Sequence, residues 1–107
     1  MSIRLDKEWS PLSDSERLPA QLGVFELGDH RGQILQVGYA GGRSQFGLRG
    51  AVAEAAQGLA AADRFRVEVT TAYLTRYREL LMAYVEDHGA LPPANAPEPS
   101  LGRLTRG

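Results

Sequence analysis

The sequence contains no cysteine, and Lys7 is its only lysine. Without cysteine the chain can form neither a disulfide bond nor a thiolate zinc site. It also has no apolar run near the roughly 20 residues that a membrane-spanning helix needs. Residues 1–18 are charged and polar where a signal peptide requires an apolar stretch. We therefore expect a cytoplasmic protein that has no membrane partner.

A strong charge of either sign is missing as well, because the formal net charge is −1 at pH 7. The chain therefore lacks the overall basic field that is typical of nucleic-acid-binding proteins. Its hydrophobic fraction of 43% and charged fraction of 23% are those of an ordinary globular protein. The abundance of arginine, alanine and glycine indicates a GC-rich genome, and a functional need for guanidinium groups is the alternative interpretation.

The hydrophobic pattern predicts three strands and two helices. Strands are predicted at 22–27, 33–39 and 64–71, and amphipathic helices at 48–62 and 73–89. A three-stranded sheet needs cover to be stable, and the two helices supply it. The predicted fold class is therefore α+β, with a three-stranded antiparallel sheet, flanking helices and the order β-β-α-β-α.

Three segments are predicted along the chain, which at 107 residues has the size of one domain. Residues 1–21 form an N-terminal lead-in with a short helix, which the capping residues Ser13 and Asp14 begin and Pro19 ends. Residues 22–95 contain the predicted strands and helices. Residues 96–107 are rich in proline and glycine, so we expect a flexible tail.

Two tripeptides on the first two predicted strands carry a resemblance to a known family. They are Gly-Val-Phe at 23–25 and Gln-Val-Gly at 36–38, with ten residues, 26 to 35, between them. Arg49 follows near the start of the first long helix, and Asn95 follows a pair of prolines. This arrangement resembles the GIY-YIG domain of metal-dependent DNA endonucleases over roughly residues 22–95.

The resemblance implies a set of catalytic side chains that this sequence replaces in part. In the family, two tyrosine hydroxyls help to position and deprotonate the attacking water, but here Phe25 and Gln36 stand at those positions. Tyr39 lies three residues after Gln36, so it is predicted to point to the other face of the sheet. The position of the family's metal-binding glutamate falls at Ala83 or a neighbour, with Glu79 one helical turn earlier and Glu86 nearly a turn later.

These replacements predict a domain that has lost efficient nuclease chemistry and acts as a binding or accessory module without a cofactor. Losing even one such catalytic group commonly costs factors of hundreds in rate. We expect the ligand to be nucleic acid or another phosphate-bearing molecule. The candidate binding residues are Phe25, Gln36, Tyr39, Arg43, Arg49, Arg64 and Arg66.

Two alternatives stay open at this point. The first is an active Mg²⁺-dependent DNA endonuclease in which Arg49 and Glu79 are catalytic and Glu79 holds the metal, since magnesium often needs only one or two protein carboxylates. The second is a homo-oligomeric structural protein without a ligand site, in which the proline-rich tail packs on a neighbouring copy.

Two groups of residues also have plainly structural interpretations. The arginines of the third strand and last helix are interpreted as a solvated face, paired with Asp63, Glu68 and Glu79. The last helix's tyrosines are interpreted as the edge of the core rather than a base-stacking platform, because their spacing places them on its buried stripe. They are Tyr73, Tyr77 and Tyr84.

The glycine-rich loop at 40–47 lies between a strand and a helix, where backbone amides can face an anion. It lacks the Lys-Ser or Lys-Thr ending of a nucleotide-binding P-loop. We interpret it as a turn that leaves Arg43 and Arg49 exposed, so that they can hold a phosphate or a carboxylate.

Overall fold

The computed structural model describes residues 4–95, and the predicted flexible tail at 96–107 lies outside them. In chain order the elements are β1 (Ser10–Pro11), a 3₁₀ helix (Leu12–Arg17), β2 (Gly23–Gly28), β3 (Ile34–Ala40), α1 (Gly47–Gln57), β4 (Arg64–Val69) and α2 (Tyr73–His88). The α+β class and the order of the main elements are confirmed. No helix in the described part of the chain is long and apolar enough to cross a bilayer.

The sheet has four strands rather than the predicted three. Its order is β1-β4-β2-β3, and every neighbouring pair is antiparallel. The additional strand is two residues long and pairs Ser10 with Phe65 and Pro11 with Arg64. Such a short strand has no alternating pattern to reveal it, and its proline cannot donate to the ladder. It leaves β3 as the opposite edge of the sheet.

Helices α1 and α2 pack on opposite faces of the sheet. Consecutive strand residues point to opposite faces, and Val24 and Phe25 accordingly belong to different buried clusters. The α1 face buries Phe25, Leu27, Ala40, Leu48, Val52, Ala62 and Phe65. The α2 face buries Leu5, Val24, Val37, Tyr77, Leu80 and Leu81. The result is three layers, helix on sheet on helix.

Both helices end next to a glycine. α1 ends at Gln57, five residues earlier than predicted at 62, because the Gly58 amide donates back to Ala55 O and the chain turns towards β4. Gly89 has a φ of 78° and donates its amide to Val85 O at 2.7 Å, which gives α2 the predicted left-handed C-cap.

The N-terminal segment wraps around the β4 side of the sheet and belongs to the same packed unit as residues 22–95. Leu5 is buried beneath α2, and Arg4 pairs with Asp87 near the end of that helix at 2.6 Å. Further along, the predicted short helix is present as a 3₁₀ helix, but it begins at Leu12 after Pro11 and has no side-chain cap, so Ser13 and Asp14 lie inside it rather than cap it. Leu12 and Leu18 pack against the α1-face cluster. Contacts to both faces therefore hold the lead-in against the sheet.

A buried ion pair fastens this segment to the sheet. Glu26 is only 3% exposed and lies directly opposite Arg66 on the neighbouring strand. Arg66 Nε donates to Glu26 Oε1 at 2.7 Å, and the guanidinium lies 4.1 Å from the centre of the Trp9 ring. Arg66 also donates to the carbonyl of Lys7. One arginine thus joins β2, β4 and the N-terminal segment.

The two glycines of the tripeptides are required by close packing. Gly38 lies opposite Phe25, and a Cβ on Gly38 would overlap the phenyl ring. A Cβ on Gly23 would overlap the carbonyl oxygen of Glu68 on β4. The ring of Phe25 is itself buried, so it has little room to move away.

Gly38→Ala is therefore expected to lower the free energy of unfolding by about 1–3 kcal/mol, the usual cost of overpacking a core. The control is Gly42→Ala, because a Cβ there would meet no atom within 4 Å. Urea denaturation of both variants measures the difference. Equal stability of the two variants would contradict the packing argument.

Glu26 is expected to make stability depend on pH. Burial raises the pKa of the Glu26 carboxyl above its ordinary value, although the hydrogen bond from Arg66 opposes the shift. The folded-state pKa then exceeds the unfolded one, so this carboxyl's contribution is present in acid and is lost as pH rises through the folded-state pKa. We expect Glu26→Gln to remove this fall in the free energy of unfolding with rising pH.

The measurement is urea denaturation of the wild type and Glu26→Gln from about pH 4 to about pH 8, a range that brackets a raised carboxyl pKa. The free energy of unfolding of the wild type should fall relative to that of the variant as pH rises. In Arg66→Met the Glu26 carboxylate loses its partner, and we expect the free energy of unfolding at neutral pH to be about 3–5 kcal/mol lower than in the wild type. Parallel pH profiles for wild type and Glu26→Gln would refute the assignment.

Candidate functional site

A groove of about 1080 Å³ surrounds the exposed edge of the sheet at β3. Its walls come from both faces of the sheet and from the glycine-rich loop that follows β3. Residues of β2, β3, both helices and the loop line it together with Ala94 and Asn95. The groove therefore lies where the two tripeptides meet.

The groove is lined by Phe25 and Gln36, which stand at the positions where GIY-YIG domains have their two tyrosines. They point to the α1 face, since Phe25 packs in the α1-face cluster and Gln36 lies opposite Leu27 of the same cluster. From α1, Glu54 completes this wall. The side chains at this wall are thus a phenyl ring, an amide and one carboxylate.

Three tyrosine rings form the opposite wall. Tyr39 is 40% exposed and stacks on Tyr73, with ring centres 5.6 Å apart and planes 19° apart. It meets the Tyr77 ring edge-on at 4.9 Å. Tyr39 thus points to the α2 face, opposite to Gln36, as its strand parity predicts. Its exposed ring is available to stack with a flat ligand.

The α2 tyrosines divide between core and groove. Tyr77 is buried in the core, as predicted, but its ring also lines the groove. Tyr73 is half-buried and packs against the same core beneath Tyr39. Tyr84, predicted at the edge of the core, belongs to neither buried cluster, and its ring centre lies 4.2 Å from that of His88 one helical turn later. Burial raises the pKa of the Tyr84 phenol.

Asn95 closes one end of the groove by pairing with the edge strand. Its Oδ1 accepts from the Val37 amide at 2.8 Å, and its Nδ2 donates to the Val37 carbonyl at 2.9 Å. Nδ2 also lies 3.5 Å from the Tyr77 hydroxyl. The side-chain amide therefore takes the place of a neighbouring strand's backbone.

The glycine-rich loop is a turn in which several backbone amides are paired. The Gly41 amide donates to Ser44 Oγ at 3.0 Å, the Gly42 amide to the Tyr73 hydroxyl at 3.4 Å, and the Ser44 amide to Gly41 O at 3.0 Å. At the start of α1, the Gly47 and Leu48 amides donate to Ser44 O and Gln21 O. The predicted turning role is confirmed, and these amides are not available to an anion.

The structure disperses the predicted basic residues. Arg43 is exposed, lines the groove and makes no ion pair with another described residue. Arg49 is exposed on α1 beside the Phe46 ring and does not line the groove. Arg64 and Arg66 lie on β4, where Arg64 pairs with Asp63 and Arg66 pairs with Glu26. The predicted pairs of arginines with Asp63, Glu68 and Glu79 are present. The side chains of Arg66 and Arg76 are only 18% and 15% exposed, however, so these two do not belong to the predicted solvated face.

Arg49 and Glu79 do not meet in one site. They lie on helices that pack on opposite faces of the sheet, and Glu79 bonds with Arg76 at 3.5 Å. Within residues 4–95 no group of three His, Cys, Asp or Glu side chains is placed to hold a metal ion. Ala83, the position of the family's glutamate, is buried.

Sequence reasoning missed Glu54 and the contribution of Tyr73 and Tyr77 to the groove. Glu54 belongs to the same helical stripe as Ala51 and Ala55, two small residues that give no hydrophobic signal of a facing wall. The two tyrosines have the spacing of a buried stripe, and that spacing does not show which of them reaches the sheet edge.

Residues 3–87 match a family described as Domain of unknown function, DUF7508. The chain belongs to that family. The matched span contains both tripeptides, all four strands and nearly all of α2, and it ends before Asn95. No curated protein and no solved structure matches the chain. The DUF7508 description names no activity or ligand, so the groove itself carries the functional argument.

Asn95→Ala should expose the backbone of β3 at Val37. Two hydrogen bonds are lost, each of a kind that contributes about 0.5–1.5 kcal/mol net, so the free energy of unfolding should fall by about 1–3 kcal/mol. The Val37 amide should also exchange its hydrogen faster than in the wild type. Amide exchange followed by NMR checks this, with the Asp63 amide, which donates to Gly28 O away from the groove, as the internal control. Unchanged exchange at Val37 would contradict the pairing.

Proposed function

We propose that the chain is a GIY-YIG-like domain that has lost efficient nuclease chemistry and binds single-stranded nucleic acid in the β3 groove. One observation carries the proposal. The groove at the junction of the two tripeptides is lined by Phe25 and Gln36, which stand at the family's tyrosine positions. Beside them lie the exposed Tyr39 ring and Arg43, which makes no ion pair with another described residue.

The side chains of the groove favour binding over hydrolysis. A phenyl ring and a carboxamide cannot act as a base towards water at neutral pH. Glu54 is the one carboxylate among the described residues that line the groove, and a nuclease must also hold a metal and stabilise the charge on the phosphate. The Tyr73 and Tyr77 hydroxyls bond with the Gly42 amide and the Asn95 side chain.

The same groove offers what a flexible single strand requires. Bases stack on aromatic rings whatever their sequence, and each stack contributes about 1–3 kcal/mol. Tyr39 presents such a ring on a support formed by Tyr73 and Tyr77. Arg43 can contact one phosphate, whereas Arg64 and Arg66 are already paired. We therefore expect modest affinity with a weak dependence on salt.

Fluorescence anisotropy with a short labelled single-stranded oligonucleotide tests this binding. Tyr39→Ala should weaken binding by about 1–3 kcal/mol, roughly 5- to 150-fold, because one stacking contact is lost. Arg43→Ala should reduce the slope of log K against log salt by about 0.7, the contribution of one phosphate contact on a single strand. The control is Arg31→Ala, an exposed arginine in the hairpin turn at the other end of β3.

Failure of the wild type to bind the oligonucleotide at low salt would refute the proposal. Equal losses of affinity for the oligonucleotide in Arg43→Ala and Arg31→Ala would refute it as well. A plasmid-nicking assay with Mg²⁺ and with Mn²⁺ tests the loss of hydrolysis, and we expect no cleavage above background. Cleavage that disappears in Arg49→Ala and Glu79→Ala would instead establish the endonuclease alternative.

A further inference from the structure

The β3 edge is covered only in part by the residues that the structure describes. On an edge strand every second residue turns its amide and carbonyl outward. Leu35 O accepts from the Ala94 amide at 2.9 Å, and both backbone groups of Val37 bond with Asn95. Tyr39 is the next residue whose backbone amide and carbonyl turn outward, and it lines the groove.

The chain leaves the described region in the direction of that uncovered part. Ala94 lies against Leu35 and Asn95 against Val37, so this segment runs in the same direction as β3. At about 3.3 Å per residue, Ala40 lies only about 10 Å beyond Val37. Six residues after Asn95 can span about 20 Å. Residues 96–101 therefore suffice to pass Tyr39 and reach the loop that contains Arg43.

The composition of residues 96–101, Ala-Pro-Glu-Pro-Ser-Leu, suits this groove. Proline-rich segments bind in grooves lined by aromatic rings at a small entropic cost, because proline restricts the unbound chain. The segment contains Pro97 and Pro99, and Glu98 between them carries the charge opposite to that of Arg43. Pro92, from the same proline-rich stretch, is already buried against the domain.

We propose that residues 96–101 bind in the groove of their own chain, with the prolines against Tyr39 and Glu98 beside Arg43. The N-terminal segment covers the other edge of the sheet at β4, so each terminal segment would cover one edge. This inference rests on the proposed function in one respect, because the tail would then compete with nucleic acid for the same rings.

The absence of cysteine permits a direct test in the full chain, since two introduced cysteines are then the only reactive thiols. The groove pair is Gln45→Cys with Leu101→Cys. The control pair is His30→Cys with Leu101→Cys, in the exposed hairpin turn. Val37 is the reference point because Asn95, where the described chain ends, bonds with it. His30 lies seven positions before Val37 and Gln45 lies eight positions after it.

A short bis-maleimide should join the groove pair within one chain at least about tenfold faster than the control pair. Mass spectrometry of the products separates links within a chain from links between chains. Adding Tyr39→Ala to the groove pair should slow the reaction several-fold. Equal rates for the two pairs would overturn the inference, and links only between chains would assign the groove to the tail of a second copy.

Oligonucleotide anisotropy on the same variants separates the two proposals. The cross-linked groove pair should bind the oligonucleotide more weakly than the untreated protein. The cross-linked control pair, whose tail is held away from the groove, should bind it at least as tightly as the untreated protein. Fast cross-linking in a protein that never binds the oligonucleotide would refute the nucleic-acid function and leave the tail contact standing. Equal cross-linking rates with normal oligonucleotide binding would refute the tail contact alone.

Discussion

The pairing of Phe25 with Gly38 is the constraint on which the rest of the structure depends. A phenyl ring lies across a residue without a side chain, and this sets the register of β2 against β3. A slip of one residue would turn the side chains of β3 to the wrong faces, because strand side chains alternate. The same register places Gln36 on the α1 face and Tyr39 on the α2 face, so the groove acquires two chemically different walls.

Charged side chains serve mainly to fasten the N-terminal segment and α2 to the sheet. Arg66 joins Glu26, Trp9 and the Lys7 carbonyl across two strands and the lead-in. Arg76 bonds with Glu68 on β4 and donates to the carbonyl of Arg4. A buried carboxylate without its arginine would carry the full cost of desolvation. Arginines occupied in this way have a structural role.

The groove lies where the two tripeptides meet, and its two walls carry different side chains. Where the resemblance to GIY-YIG domains expects hydroxyls, a hydrocarbon ring and an amide line one wall. On the other wall Tyr39 stacks on Tyr73, and Arg43 projects from the adjoining loop. In the glycine-rich loop the Gly41 and Gly42 amides are bonded to Ser44 Oγ and the Tyr73 hydroxyl, so the charge that this loop brings to the groove is that of Arg43. The described lining thus combines stacked aromatic rings, one arginine and the Glu54 carboxylate.

The sequence by itself determined the fold class, the hairpin, the last helix with its glycine cap and the opposite directions of Gln36 and Tyr39, because these follow from local periodicity and backbone geometry. It predicted that several arginines are paired, but it could not assign the partner of Arg66, which lies forty positions away on β2. Only the tertiary structure decided that Ser10 and Pro11 add a strand, that Glu54 faces the groove, and that Arg49 and Glu79 lie on opposite sides of the sheet. Those outcomes depend on how separate elements pack, and packing distances between residues far apart in the chain leave no periodic trace in the sequence.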